Sequence, residues 1–250
     1  MRIRFSGTAS AIPDAGNGYT SFLVEAGGRL GMIDAGDNPV RAILEAGADP
    51  AELAFLALTH RHVDHLGAFP ALISSLDCLR RSAPLEVVAA QELAASARRL
   101  LELFDITPSG LSYPLRYAGS WREADAALEL MDGHHPVPTS MVRIREGSFG
   151  LLYTADCVFR PGRTAANAAG CSVLIHEATY PEARLPAVTG HSSALQAGQA
   201  AAAAGVERLF LCHLDPPAWR GAGDPAEEAR RAFHGEVIVP EPGVWYTVTA

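Results

Sequence analysis

The sequence predicts an α/β domain in which two β-sheets pack face to face with helices on their outer sides. Three observations lead there. Short apolar runs of strand length are interspersed with helix-period segments in both halves of the chain, as expected of sheets covered by helices. Hydrophobic residues make up 48% of the 250 residues and charged residues 19%, enough to fill a sizeable core. Several apolar runs end in metal-type side chains, at Thr59-His60, Ala155-Asp156 and Cys212-His213, which puts chemistry where strands stop.

The elements follow in order. Arg2 to Phe5 reads as an edge strand, and Gly7 to Gly18 as a turn-rich stretch. Thr20 to Glu25 and Leu30 to Asp34 read as paired strands turned at Gly27-Gly28. Asp34 is either a turn-former or a neighbour of the site. Pro39 to Ala46 is a short helix, and Pro50 to Leu53 a helical turn before the buried strand Leu53 to Leu58. Phe69 to Leu76 is a helix and Leu85 to Val88 a strand. Gln91 to Phe104 carries apolar residues at Leu93, Ala97, Leu100, Leu101 and Phe104, a helical period ended by Pro108-Ser109-Gly110. Strands are expected at Tyr113 to Tyr117, Ala127 to Met131, Met141 to Arg145, Leu151 to Thr154 and Ser172 to Ile175. Ser193 to Ala204 is a helix with a serine N-cap and Gly205 at its C-terminal end. Leu209 to Leu211 is a strand, Pro225 to Phe233 a helix, and Val237 to Val239 and Val244 to Thr249 are closing strands. No linker, low-complexity tract or charge block divides the chain, so residues 1–250 are expected to form one domain.

Thr59-His60-Arg61-His62-Val63-Asp64-His65 is the densest chemistry in the chain. In an extended segment His60 and His62 point to one side. Asp64 and His65 follow as the chain turns and can face a second position. One ion cannot comfortably use all four, whereas two ions sharing the loop can. Histidines with carboxylates suit Zn²⁺ first, with Mn²⁺ or Fe as substitutes. The competing reading is a charged surface turn. Either histidine of Gly133-His134-His135-Pro136 could add a ligand. Asp156, at the end of a strand, can bridge two dications, and His213 ends the strand Leu209 to Cys212.

These segments together resemble the metallo-β-lactamase superfamily, in its ribonuclease-Z-like branch. The resemblance rests on the His60-to-His65 motif with Phe5-Ser6-Gly7-Thr8 through Pro13, Ile33-Asp34-Ala35-Gly36, Ala155-Asp156, His176-Glu177-Ala178-Thr179, His191-Ser192 and Cys212-His213, in that order. It covers nearly the whole chain and implies a four-layer αββα sandwich. It also implies two metal ions: one held by His60, His62 and His135, the other by Asp64, His65 and His213, with Asp156 and a water or hydroxide bridging. By the same resemblance His191, held by Glu177, contacts an anionic group and donates a proton to the leaving oxygen, and Asp64 orients the nucleophile. His191 also reads as a plain polar residue near a helix start, and His176 as a packed histidine at a strand end. True β-lactamases of the superfamily usually place a cysteine where Asp156 stands, which disfavours β-lactam hydrolysis.

The function expected is therefore a dinuclear-metal hydrolase, a phosphodiesterase on a small phosphodiester, cyclic ones included. A thioesterase or lactonase on the same metals is the alternative. A non-catalytic binding module is disfavoured because all seven ligands are present. Ribonuclease Z carries a long tRNA-gripping arm between the ligands matching His135 and Asp156; here they lie only 21 positions apart (156 − 135). Leu214-Asp215-Pro216-Pro217 also departs from that family's Ser-x-Arg-Tyr. The net charge of -8, with 20 arginines and no lysine, is a poor start for gripping a phosphate backbone. A small-molecule substrate is expected, tRNA is not, and the resemblance implies a homodimer. The chain is similar in size to a small phosphodiesterase of bacterial phosphonate breakdown but lacks that protein's extra metal site. No apolar run reaches the roughly 18 residues of a membrane span. The start Met1-Arg2-Ile3-Arg4-Phe5 reads as a strand, and Cys78, Cys157, Cys171 and Cys212 form no Cys-x-x-Cys pair. Reduced thiols and a cytoplasmic location are expected.

Overall fold

The computed structural model describes residues 1–248. The first half of the chain supplies β1 (Arg2–Ala9), β2 (Gly18–Tyr19), β3 (Ser21–Ala26), β4 (Arg29–Ile33), α1 (Pro39–Glu45), β5 (Phe55–Ala57), α2 (Val63–Leu66), α3 (Phe69–Cys78), β6 (Leu85–Val88), α4 (Gln91–Glu102) and β7 (Leu115–Ala118). The second half supplies β8 (Ser120–Glu123), β9 (Ala126–Asp132), β10 (Ser140–Glu146), β11 (Phe149–Tyr153), α5 (Pro161–Asn167), β12 (Val173–Glu177), α6 (Ala194–Ala204), β13 (Arg208–Cys212), α7 (Pro216–Trp219), α8 (Pro225–Arg230), β14 (Glu236–Ile238) and β15 (Trp245–Thr247). One sheet runs β15-β1-β3-β4-β5-β6-β7, with β2 paired to β1; the other runs β14-β13-β12-β11-β10-β9-β8.

Period-2 alternation assigns each side chain to a layer. Phe5, Phe22, Phe55, Tyr153, Val173 and Phe210 meet between the sheets in one buried cluster. The Phe22 and Tyr153 rings pack edge to face at 5.2 Å. The alternate residues Leu23, Met32 and Leu56 face outward onto Ile43 of α1, Leu72 of α3 and Leu93 of α4. Leu152, Leu174 and Leu209 do the same against Ala197 and Ala201 of α6. These three apolar layers make the αββα sandwich. α6 begins with a capping box of Ser193 and Gln196 and ends at Gly205, φ 66°.

Some expectations need correcting. β1 is not an edge strand: β15 crosses over from the second half and pairs with it, Arg2 opposite Thr247 and Arg4 opposite Trp245. Thr249, expected to end that last strand, lies outside the described residues. The Gln91 helix stops at Glu102, and Phe104 is left 62% exposed instead of extending the apolar face. Five short elements, β2, α2, β8, α5 and α7, carry too little periodicity to be legible; α7 explains Leu214-Asp215-Pro216-Pro217, because Asp215 caps the Ala218 N–H. Between His135 and Asp156 the chain makes only the β10–β11 hairpin, tied at Glu146 and Phe149. No helix among the described residues is long and apolar enough to cross a membrane, and all four cysteines are free.

The ends of β4, β5, β11, β12 and β13 gather at one edge of the sandwich. Three non-glycine residues there have left-handed backbone: Asp34 (φ 59°), Ala155 (φ 52°) and His213 (φ 56°). Such conformations cost of order 1–3 kcal/mol each and persist where surrounding structure over-determines them. The turn after β4 clamps the His-rich loop: the Ala35 N–H donates to the His65 carbonyl at 2.7 Å, and the Ala68 N–H to the Ala35 carbonyl at 2.8 Å. Gly36 lies so close that a Cβ would sit 1.5 Å from the Asp64 carbonyl oxygen. Gly36→Ala is therefore expected to destabilise the fold by about 1–3 kcal/mol or more in denaturant unfolding. Gly162→Ala, where a Cβ meets nothing within 4 Å, is expected to be neutral or mildly stabilising.

Candidate metal centre

The residues picked out by the motif converge from distant parts of the chain. His60 and His62 leave β5 in extended conformation, and α2 starts immediately after His62, which turns Asp64 and His65 to face a second position. His135 approaches from the loop after β9, Asp156 from the end of β11 and His213 from the end of β13. They form two donor groups, each with all its donor atoms within 4.8 Å of one another: His60, His62, His135 and Asp156, and Asp64, His65, Asp156 and His213.

The spacings fit metal ions. In the first group His62 Nδ1 lies 3.1 Å from His60 Nε2 and 3.3 Å from His135 Nε2. Asp156 Oδ2 is 3.4 Å from His60 Nε2. In the second, Asp156 Oδ1 lies 3.3 Å from His65 Nε2 and 3.2 Å from His213 Nε2. Asp64 Oδ2 is 3.5 Å from His65 Nε2 and 3.3 Å from His213 Nε2. A tetrahedral ion bonded at 2.0–2.1 Å separates its donors by roughly 3.3 Å. Asp156 thus offers one oxygen to each group. Two of these atoms, His65 Nε2 and Asp156 Oδ1, are buried and make no hydrogen bond. Leaving such groups unsatisfied costs about 1–3 kcal/mol each, which a bound cation would remove.

The backs of the rings are held as well. The His65 Nδ1–H donates to Asp34 Oδ2 at 2.8 Å. Asp34 also accepts from the Thr59 backbone N–H at 2.9 Å and from the Thr59 hydroxyl at 2.9 Å, and that hydroxyl lies 3.0 Å from His60 Nδ1. Asp34 is thus both a strand-end turn residue and a support for two rings. The His135 Nδ1–H donates to the Gly190 carbonyl at 2.8 Å. Glu177 Oε1 accepts from His191 Nδ1–H at 3.0 Å and from the Cys157 N–H at 2.9 Å.

Charge in the cluster follows from four buried carboxylates, Asp34, Asp64, Asp156 and Glu177. Burial would raise the Asp156 carboxyl, but the charges of His213 and His65 hold it well below the ordinary range. Burial works on Asp64 in the same sense, and its bond to His213 brings it down to about 2. Burial opposes charge on His191, yet the hydrogen bond and charge of Glu177 raise it to about 9. Burial lowers His135 to about 4, leaving a neutral ring that can offer a lone pair.

The other histidines are also placed. His134 is exposed, 3.2 Å from an Arg160 nitrogen, and joins neither group. His176 is a packed histidine: it is fully buried, and its Nδ1–H donates to the Glu177 carbonyl at 2.6 Å. Thr59, Thr179 and the Gly190 carbonyl were missed in the sequence. Both threonines stand inside the motifs Thr59-His60 and His176-Glu177-Ala178-Thr179, but nothing there marks their hydroxyls as supports for the rings.

Three comparisons bear on this geometry. A family model described as the beta-lactamase superfamily domain matches residues 31–214. A ribonuclease Z from Natronomonas pharaonis is 27% identical over 302 residues, covering 97% of this chain and 96% of the relative. That aligned span exceeds the 250 residues of this chain by 52 positions, so the relative carries segments with no counterpart here. Among solved structures, the metallo-beta-lactamase fold protein YhfI from Bacillus subtilis superposes with a TM-score of 0.82 at 21% identity over 98% of each chain. Human tRNase Z, short form (ELAC1), gives 0.81 at 18% identity over 100% of each.

Elemental analysis of protein purified from metal-replete medium is expected to find close to two ions per chain. His62→Ala or Asp156→Ala is expected to lose much of that content. Wild-type protein without metal would contradict the fit.

Proposed function

We propose that this chain, which belongs to the beta-lactamase superfamily and to its ribonuclease-Z-like branch, is a dinuclear-metal phosphodiesterase acting on a small phosphodiester. Membership makes it a metal-dependent hydrolase; the ligand roles, the metal and the substrate class are this proposal. His60, His62 and His135 would hold one ion, Asp64, His65 and His213 the other, with Asp156 shared. A set of five histidines and two carboxylates suits zinc. Bound there, two dications supply Lewis acidity and a water of lowered pKa.

The observation that carries the phosphate reading is the His191–Glu177 pair. His191 Nδ1–H is committed to Glu177, so its Nε2–H remains for substrate. Asp156 Oδ2 is 4.0 Å from His191 Nδ1, which puts the ring at the rim of the donor groups. Its side chain is 22% exposed, against at most 5% for His60, Asp64, His65, His135, Asp156 and His213 beneath it. A cation there stabilises charge on a phosphoryl oxygen and can give a proton to a poor leaving alkoxide. A thiolate needs no such proton, so a thioesterase would gain less from the pair.

The relatives named ribonuclease Z favour a tRNA reading. Against it stand the bare β10–β11 hairpin where an arm would emerge and the net charge of -8. Weak, strongly salt-dependent binding to precursor tRNA and no accurate 3′ processing are expected. Tight binding at physiological salt would reverse this.

The deciding assay sets bis(p-nitrophenyl) phosphate beside a thioester and a lactone on metal-loaded protein; the phosphodiester should be the preferred substrate. His191→Ala is expected to retain both ions and lose about 10²–10⁴-fold in rate on diesters with basic leaving groups. It should lose far less on p-nitrophenolate, which leaves unaided. The wild-type rate on basic leaving groups should fall as pH rises through the His191 pKa, because the acid form is lost; nearby dications place that fall at or below about 9. Equal losses across leaving groups would move the assignment to carbonyl chemistry.

A further inference from the structure

We propose that Thr179 is a positioning residue whose hydroxyl fixes the tautomer of His213 and ties it to the carboxylate that holds His191. The inference rests on the ligand assignment above. Glu177 ends β12 and is fully buried. Its Oε1 takes the Cys157 N–H and His191 Nδ1–H bonds described above. Its Oε2 accepts from the Thr179 backbone N–H at 3.2 Å and from the Thr179 hydroxyl at 2.6 Å. A carboxylate only accepts, and a hydroxyl has one proton. The Thr179 proton is therefore committed to Glu177.

The same oxygen lies 2.9 Å from His213 Nδ1. With its proton already given, Thr179 can only accept there, so Nδ1 of His213 carries the hydrogen. In the neutral ring that would bind an ion, the lone pair is then left on Nε2, the atom 3.3 Å from Asp64 Oδ2 and 3.2 Å from Asp156 Oδ1. The Thr20 hydroxyl holds the His213 backbone N–H at 3.0 Å, but no contact other than Thr179 is made at Nδ1 among the described residues. Thr179 alone selects which ring nitrogen faces the second donor group.

The opposite sheet contains the same device in an unrelated segment. Thr59 stands between Asp34 and His60 Nδ1 while Asp34 holds His65 directly. Each half thus uses one carboxylate and one threonine to set two imidazoles, one by direct contact and one through the hydroxyl. In the second half the directly held ring is His191, so Glu177 serves proton donor and ion site together.

Thr179→Val removes the hydroxyl while keeping a branched side chain. Apo-protein titrated with Zn²⁺ against a chromogenic chelator reads both affinities without an activity assay. The wild type should bind two ions. Thr179→Val should bind the second about 10–100-fold more weakly and the first unchanged, since support of a metal-binding histidine is typically worth that much. Thr179→Ser should restore the second affinity to within a few-fold. Should the valine variant fail to fold, Thr179→Ala carries the same expectation. Folded valine or alanine protein binding both ions like wild type would overturn the proposal. So would equal weakening of both ions, or a serine variant no better than valine. Wild-type protein binding fewer than two ions would instead overturn the ligand assignment on which it rests.

Discussion

Four carboxylates are buried at one edge of this sandwich, and the rest of the site exists to make that tolerable. Asp34, Asp64, Asp156 and Glu177 are each at most 4% exposed. An isolated buried carboxylate is very expensive and persists only when paired or bound to metal. Asp34 and Glu177 are satisfied by hydrogen bonds from imidazole, hydroxyl and backbone N–H groups. Asp64 and Asp156 are held less completely: their oxygens face imidazole nitrogens across 3.2–3.5 Å, Asp64 with one long bond to His213 and Asp156 Oδ1 with no hydrogen bond. The division is chemical. Two carboxylates hold rings, and two face the places where cations fit.

The sandwich supplies the rigidity this needs. The aromatic cluster of Phe5, Phe22, Tyr153 and Phe210 locks the sheets together below the site. Three of the six non-glycine residues with left-handed backbone, Asp34, Ala155 and His213, contribute or directly precede groups of the site. Strands anchored in a close-packed core hold these conformations in place at the site. The contact of Gly36 with the Asp64 carbonyl makes the His-rich loop part of that scaffold. Donors positioned in advance bind an ion with little reorganisation.

Much of this was legible in the chain. His60, His62, Asp64 and His65 stand in one motif, and Asp156 and His213 follow apolar runs of strand length. The layers follow from alternation in strands such as Phe22-Leu23-Val24. Less visible was anything decided by long-range pairing. β15 joins β1 across more than two hundred residues, so Arg2 to Phe5 looked like an edge strand. The short α5 and α7 lack the length to show a period. Thr59 and Thr179 stand in the motifs, but what their hydroxyls touch is decided only when the strand ends come together. The Gly190 carbonyl is invisible in principle, because every residue has one.

The central claim is that two ions share Asp156 at the edge of the sandwich. Anomalous diffraction at the zinc edge from metal-loaded crystals tests it most directly. Two peaks are expected about 3.5–4 Å apart, one against His60, His62 and His135 and the other against Asp64, His65 and His213, with an Asp156 oxygen toward each. A single peak, or two peaks that do not share Asp156, would contradict the account.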